Sequence, residues 1–171
     1  LLKWIARETD RARQGKPAHI IAKMNALLEP QIIRALYKAS QAGVKIDLIV
    51  RGPCALRPGI AGLSEHIRVR SIIGRFLEHS RIFYFLNDGD DRVFLSSADW
   101  MDRNFFRRIE VAFPVLDPVL RRRLIDEGLR PYLEDNTHAW ILHRDGTYKR
   151  QTPGRGAARS AQQWLMNRLV T

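Results

Sequence analysis

Two short apolar segments, residues 19–24 and 44–50, flank a stretch in which Ile32, Ile33, Leu36 and Ala39 fall on one helical face. Pro30 stands at the opening of that stretch and Gly43 just past its end, the asymmetry expected of helix termini. Strand, helix and strand at this length form a βαβ unit, so at least part of the sheet must be parallel. With 171 residues the chain is long enough for one domain with a real hydrophobic core. An amphipathic helix over 1–13, stopped by Gly15-Lys16-Pro17, precedes this unit. Further strands are predicted over 67–73, 81–85, 93–96 and 108–113, with a late one over 139–142. A helix over 118–133 carries Arg121-Arg122-Arg123. After the turn at Asp145-Gly146, residues 144–171 read as a basic tail ending in a short helix over 159–170; residues 1–143 form the domain.

The second strand of the βαβ unit runs into a Gly- and Pro-rich loop, residues 51–64. Open α/β sheets bind ligands beyond the carboxyl ends of their strands, which places Arg51 at the mouth of a candidate crevice. Lys23 and Asn25, at the end of the neighbouring strand, face the same crevice. Arg57, Arg70 and Arg75 are further phosphate-binding candidates. Downstream, His79-Ser80-Arg81 and Leu95-Ser96-Ser97-Ala98-Asp99-Trp100 lie at the ends of two strands joined by a turn at 87–91. An imidazole can give or take a proton near neutral pH. Arg81 can hold phosphate oxygens directionally; Ser96, Ser97 and Asp99 can bind phosphate oxygens or orient His79, and Asp99 can equally pair with Arg103 or Arg107.

Composition agrees with phosphate chemistry. Lys and Arg number 29 against 18 Asp and Glu, a formal charge of +11. Residues 144–171 contribute +5 of it and the body the remaining +6, so the positive field is distributed. Such a field implies a polyanionic partner: nucleic acid, anionic lipid or polyphosphate. Cys54, the only cysteine, excludes an internal disulfide and fits a reducing cytoplasm. It follows Pro53 in a loop, where a small buried hydrophobe is expected rather than a reactive thiol. No apolar run reaches membrane-spanning length. The start, Leu1-Leu2-Lys3-Trp4, already lies inside an amphipathic pattern and reads as part of a longer chain.

The order His79-x-Arg81, strand, Ser96-Ser97-x-Asp99 is similar to the H-x-K…G-S-x-N half-motif of the phospholipase D superfamily, with Arg for Lys and Asp for Asn. Three longer blocks narrow the likeness: Ile20-Ile21-Ala22-Lys23-Met24-Asn25-Ala26-Leu27, the run from Ser40 through Val50-Arg51-Gly52 and Leu56-Arg57-Pro58-Gly59 to Ile72, and Phe76-Leu77-Glu78-His79-Ser80-Arg81. From about Trp4 to Leu142 these resemble the C-terminal catalytic domain of bacterial polyphosphate kinases, which are built on phospholipase-D-like domains. The resemblance implies a single α/β domain, a mixed sheet flanked by helices. It implies reversible transfer of the terminal phosphate of ATP to polyphosphate, through a phosphohistidine and with magnesium. It assigns His79 to the nucleotide's terminal phosphates, as proton donor or phosphate-orienting group, and Arg51 to ATP. The phosphoacceptor histidine and the magnesium ligands would lie in an upstream domain, so no metal site falls here. ATP or ADP, polyphosphate and the upstream domains of the same chain are the implied partners, with homo-oligomers at full length. Location would be cytoplasmic, with membrane association an alternative. The same residues also fit a homodimeric phosphodiesterase or nuclease with His79 as nucleophile. A non-enzymatic basic module would explain the charge without any site.

Overall fold

The computed structural model describes residues 1–170. Its centre is the βαβ unit: β1 (His19–Met24), α2 (Pro30–Gln41) and β2 (Lys45–Val50), preceded by α1 (Leu2–Arg13). The two strands are parallel, His19 opposite Lys45 through Met24 opposite Val50. Pro30 occupies the first turn of α2, and the Glu29 side chain accepts the Ile32 N–H at 2.6 Å, capping it. Past the other end Gly43 sits at φ +95°, a left-handed position that glycine adopts without a side-chain penalty.

β3 (Ile67–Ile72) extends the parallel run, while β4 (Ile82–Phe85), β5 (Arg92–Ser96) and β6 (Ala112–Pro114) add antiparallel strands on the other side of β1. β7 (Ala139–Leu142) and β8 (Tyr148–Arg150) close the far edge. The described residues thus form one mixed eight-stranded sheet, ordered β6-β5-β4-β1-β2-β3-β7-β8. Alternation along β1 shows its two sides. Ile20, Ala22 and Met24 belong to the core under α1 and α2, while Ile21 belongs to a second core on the opposite face. Lys23 points to that second face too, against Tyr132.

Helical segments from residue 118 on cover the second face; α3 (Asp102–Phe106) is short, and the helix expected over 118–133 is present but changes its winding partway. α4 (Pro118–Arg123) passes into a π-helical turn, Leu124–Leu129, and then α5 (Arg130–Glu134). Pro131 has no N–H to give the carbonyl of Glu127 and its ring crowds that carbonyl, so the ladder must shift where it meets the proline. Gly128 sits within this turn, where a Cβ would meet Ile82 Cδ1 at 2.6 Å. α6 (Ala161–Leu169) returns to this face and buries Ala161 in its core.

Three other expectations differ. The strand predicted over 108–113 is shorter and later, Ala112–Pro114; before it, Val111 and Glu110 bond to Ser97 just past the end of β5, where the ladder stops. α3 and β8 were not expected. β8 is exposed at all three positions, so it carries no apolar alternation to read.

Candidate functional site

The parallel direction of β1 and β2 brings Lys23, Asn25 and Arg51 to one edge of the sheet. β4 runs against β1, so the segment entering it, His79-Ser80-Arg81, arrives at the same edge. β5 runs back alongside β4 and delivers Ser96, Ser97 and Asp99 there. Topology therefore gathers residues that are up to 76 positions apart in the chain.

Asp99 is the hub. Its carboxylate accepts the Asn25 backbone N–H at 2.7 Å and the Arg81 fork, Nε at 3.0 Å and Nη2 at 3.1 Å. Two parallel N–H···O bonds between planar groups hold both side chains in direction as well as distance. Arg81 Nη1 also donates to the His79 carbonyl at 3.1 Å. The same guanidinium lies 3.4 to 3.5 Å from the two imidazole nitrogens. On the other side, Asn25 Oδ1 accepts Arg51 Nε at 3.1 Å. One connected chain thus runs Arg51, Asn25, Asp99, Arg81, His79. Burial alone would push the Asp99 carboxyl up; hydrogen bonds from Arg81 and from the Asn25 amide, with the Arg81 charge, overcome it and hold the group below its ordinary value.

That direction fixes a pH dependence. A carboxyl with a depressed folded-state pKa stabilises fully above its unfolded value of about 4, and the contribution disappears as pH falls through the lower folded value. Asp47, held low by the His19 hydrogen bond against burial, adds to the same window. Urea unfolding of the chain should lose stability steeply below pH 4, and Asp99→Asn should show a shallower loss there.

Beside this chain lies a second polar cluster that the sequence reading missed. Lys23 is 2% exposed; its ammonium donates to Glu78 Oε2 and Ser80 Oγ, both at 2.7 Å, and sits 3.8 Å from the centre of the Tyr132 ring. Burial pulls the Lys23 ammonium below its ordinary value, against the opposing charge of Glu78. Burial, and then Glu78, push the Tyr132 phenol up. The Glu78 Oε1 accepts the Gln162 side-chain amide at 2.7 Å. The signal for this cluster was present: a lysine inside an otherwise apolar strand needs an anion, and Glu78 adjoins the histidine.

The remaining candidates fall elsewhere. Arg70 donates to the Tyr132 and Asp135 carbonyls at 3.2 and 3.3 Å, closing the end of α5. Arg57 is exposed in its loop, and Arg75 is exposed with its guanidinium 5.4 Å from the Phe76 ring centre. Ser96 caps the Ala98 N–H, and both Ser96 and Ser97 tie the 97–111 loop through Val111. Neither hydroxyl is arranged as a free phosphate donor. Asp99 pairs with Arg81 rather than Arg103 or Arg107; Arg107 approaches Asp102 at 3.7 Å. Burial pushes the Cys54 thiol up to about 11, as befits an inert side chain. Among the described residues no group of three or more His, Cys, Asp or Glu side chains is placed to hold a metal ion. The two carboxylates of the site, Glu78 and Asp99, already neutralise Lys23 and Arg81, so these residues do not fit a magnesium site.

What the edge offers is an exposed imidazole on a fixed backbone, flanked by cations. Arg51 uses Nε for Asn25; its Nη groups make no hydrogen bond among the described residues. Comparison with known proteins gives the family and the fold. Residues 1–163 match the family described as polyphosphate kinase C-terminal domain 2. A polyphosphate kinase of Paraburkholderia phytofirmans is 61% identical over all 171 residues, which cover 25% of that protein. The crystal structure of a polyphosphate kinase from Porphyromonas gingivalis superposes with a TM-score of 0.94 at 43% identity, covering 98% of this chain and 26% of that one. A phospholipase D family member from Salmonella typhimurium shares the fold, with a TM-score of 0.53 at 14% identity over 81% of this chain and 90% of that one. The chain spans about a quarter of the length of its polyphosphate kinase relatives.

Proposed function

The chain belongs to the polyphosphate kinase family as its C-terminal domain, and from that premise we propose that its sheet edge binds the phosphates of ATP and assists transfer of the terminal one to polyphosphate. The observation that carries this reading is the hydrogen-bonded chain from Arg51 to His79. Arg51 presents its Nη pair to phosphate oxygens. His79 stands at the other end of that hydrogen-bonded chain, at the entry to β4 on the far side of β1, able to orient a phosphoryl oxygen or to hold or move a proton at its ring. The protein's task in phosphoryl transfer is to position the group and stabilise spread negative charge, which arginines and an imidazole do without a covalent step of their own. A phosphoacceptor histidine, and any magnesium, would be supplied outside these residues. The exposed apolar run Val111, Phe113, Leu116, Val119 and Leu120 fits a face that other parts of a longer chain cover. The cytoplasm is the proposed location.

Because Arg51 is the nucleotide-facing group in this reading, Arg51→Ala in the full-length enzyme should raise the KM for ATP. Loss of a charged hydrogen-bond donor is worth about 1.5–3 kcal/mol, roughly ten- to a hundredfold in affinity. Arg51→Lys should restore only part, since a point charge cannot reach Asn25 and two phosphate oxygens as a fork does. An unchanged KM in both variants would refute the assignment. The nuclease reading is tested by the same protein: measurable hydrolysis of a phosphodiester, abolished with His79→Ala, would favour it.

A further inference from the structure

Residues 73–77 connect β3 to the histidine segment almost without packing: Ile73 is 58% exposed, Leu77 68%, and Gly74, Arg75 and Phe76 are exposed as well. A connection with so few apolar contacts should move freely, yet it leads directly to the side chain on which the proposed chemistry depends. Polar contacts from the far end of the chain fasten it. The Gln162 amide nitrogen donates to the Phe76 carbonyl at 2.8 Å, and the Phe76 N–H donates to Gln162 Oε1 at 3.0 Å. The primary amide thus pairs with the backbone as a neighbouring strand would. Its second N–H goes to Glu78 Oε1 at 2.7 Å. Lys23 then takes over, bonding Glu78 Oε2 and Ser80 Oγ. Positions 76, 78 and 80 are held from one side. His79 and Arg81, the odd positions, face the crevice.

We propose that Gln162 is a positioning residue for His79, an inference that rests on the reading of His79 as a group acting on phosphate. The side chain is 6% exposed, and both donors and the acceptor of its amide are engaged. Glutamate could not donate to Phe76 and Glu78, and methionine could do neither half of the exchange. The fit is tight at Gly74, where a Cβ would meet Gln162 Oε1 at 2.5 Å. Gly74 lacks the left-handed backbone that would strain a substitution by itself. A methyl there therefore acts by displacing the amide. Anchoring α6 is not the purpose of Gln162: Ala161 is buried in the core and its N–H donates to Asp135 Oδ2 at 2.8 Å.

The test uses the full-length polyphosphate kinase carrying this sequence, with Gln162→Met, Gln162→Ala, Gly74→Ala, the Gln162→Ala/Gly74→Ala double variant and His79→Ala. A reacting group misplaced by an ångström can lose about a hundredfold in rate. Gln162→Met and Gly74→Ala should each lower kcat by roughly ten- to a hundredfold, with the KM for ATP changed less than about threefold and Tm retained. In the double variant the methyl no longer meets an amide, so it should be no slower than Gln162→Ala alone. A kcat within about twofold of wild type for Gln162→Met and Gly74→Ala, while His79→Ala is crippled, overturns the positioning role but not the reading of His79. So does a loss that appears equally in Tm and in KM, or a double variant slower than either single. If His79→Ala itself turns over normally, the parent reading falls instead.

Discussion

His79→Ala in the full-length enzyme is expected to lower turnover by about a hundred- to ten-thousandfold while leaving the fold intact. The imidazole is exposed, and its polar contacts are those with the Arg81 guanidinium, so its removal opens no cavity in either core. Arg81 keeps its fork on Asp99 and its bond to the carbonyl of residue 79, both independent of the side chain. The effect should therefore fall on kcat, with thermal unfolding unmoved. A phosphoenzyme should remain possible because the proposed acceptor lies elsewhere in the longer chain. Mass spectrometry of enzyme quenched during turnover decides the matter: a phosphate mapped to the peptide bearing His79 would make it the nucleophile and refute the division of labour.

The βαβ centre was legible because its signals are local. Pro30 and Gly43 mark the helix ends, and apolar runs mark β1 and β2 to within a residue. From the strand ends alone, Lys23, Asn25 and Arg51 fall at one edge; His79 joins them only because β4 runs antiparallel to β1. What the pattern could not carry is the pairing of side chains across that edge. Asp99 offered several cations in sequence, Arg103 and Arg107 among them; antiparallel pairing of β4 with β5 is what selects Arg81. Arg70 looked like any other basic residue of the crevice until the end of α5 was seen to occupy it. Gln162 was the least legible. It sits 84 positions from Glu78 in a segment that reads as a polar tail, and its importance comes only from which loop α6 lands upon. The helix over 118–133 was legible as helix, but its π-helical winding over Leu124–Leu129 was not, because that comes from how Pro131 meets the carbonyl of Glu127 rather than from any apolar pattern.

Asp99→Ala should destabilise the domain strongly. Truncation removes both acceptors of the Arg81 fork and strands a guanidinium whose side chain is 13% exposed. It also orphans the buried N–H of Asn25. Removing one partner of a buried pair costs about 3–5 kcal/mol, because the other charge stays behind without compensation. For a domain of this size that corresponds to a fall in Tm of roughly 6–20 °C. Asp99→Asn should cost less, since one oxygen can still accept from Asn25 or Arg81 while its amide confronts the guanidinium. The informative comparison is Asp99→Leu with Arg81→Met in one chain: if the harm comes from an abandoned charge, the pair should be more stable than Asp99→Ala alone. Equal or greater loss in the double variant would mean that the fork itself, rather than charge balance, holds the edge together. Two of the departures from the superfamily half-motif, Arg81 for lysine and Asp99 for asparagine, then have one cause. A planar cation calls for a carboxylate that accepts both of its arms, and Arg81→Lys should lose part of the stability that Asp99→Ala loses because one arm is gone.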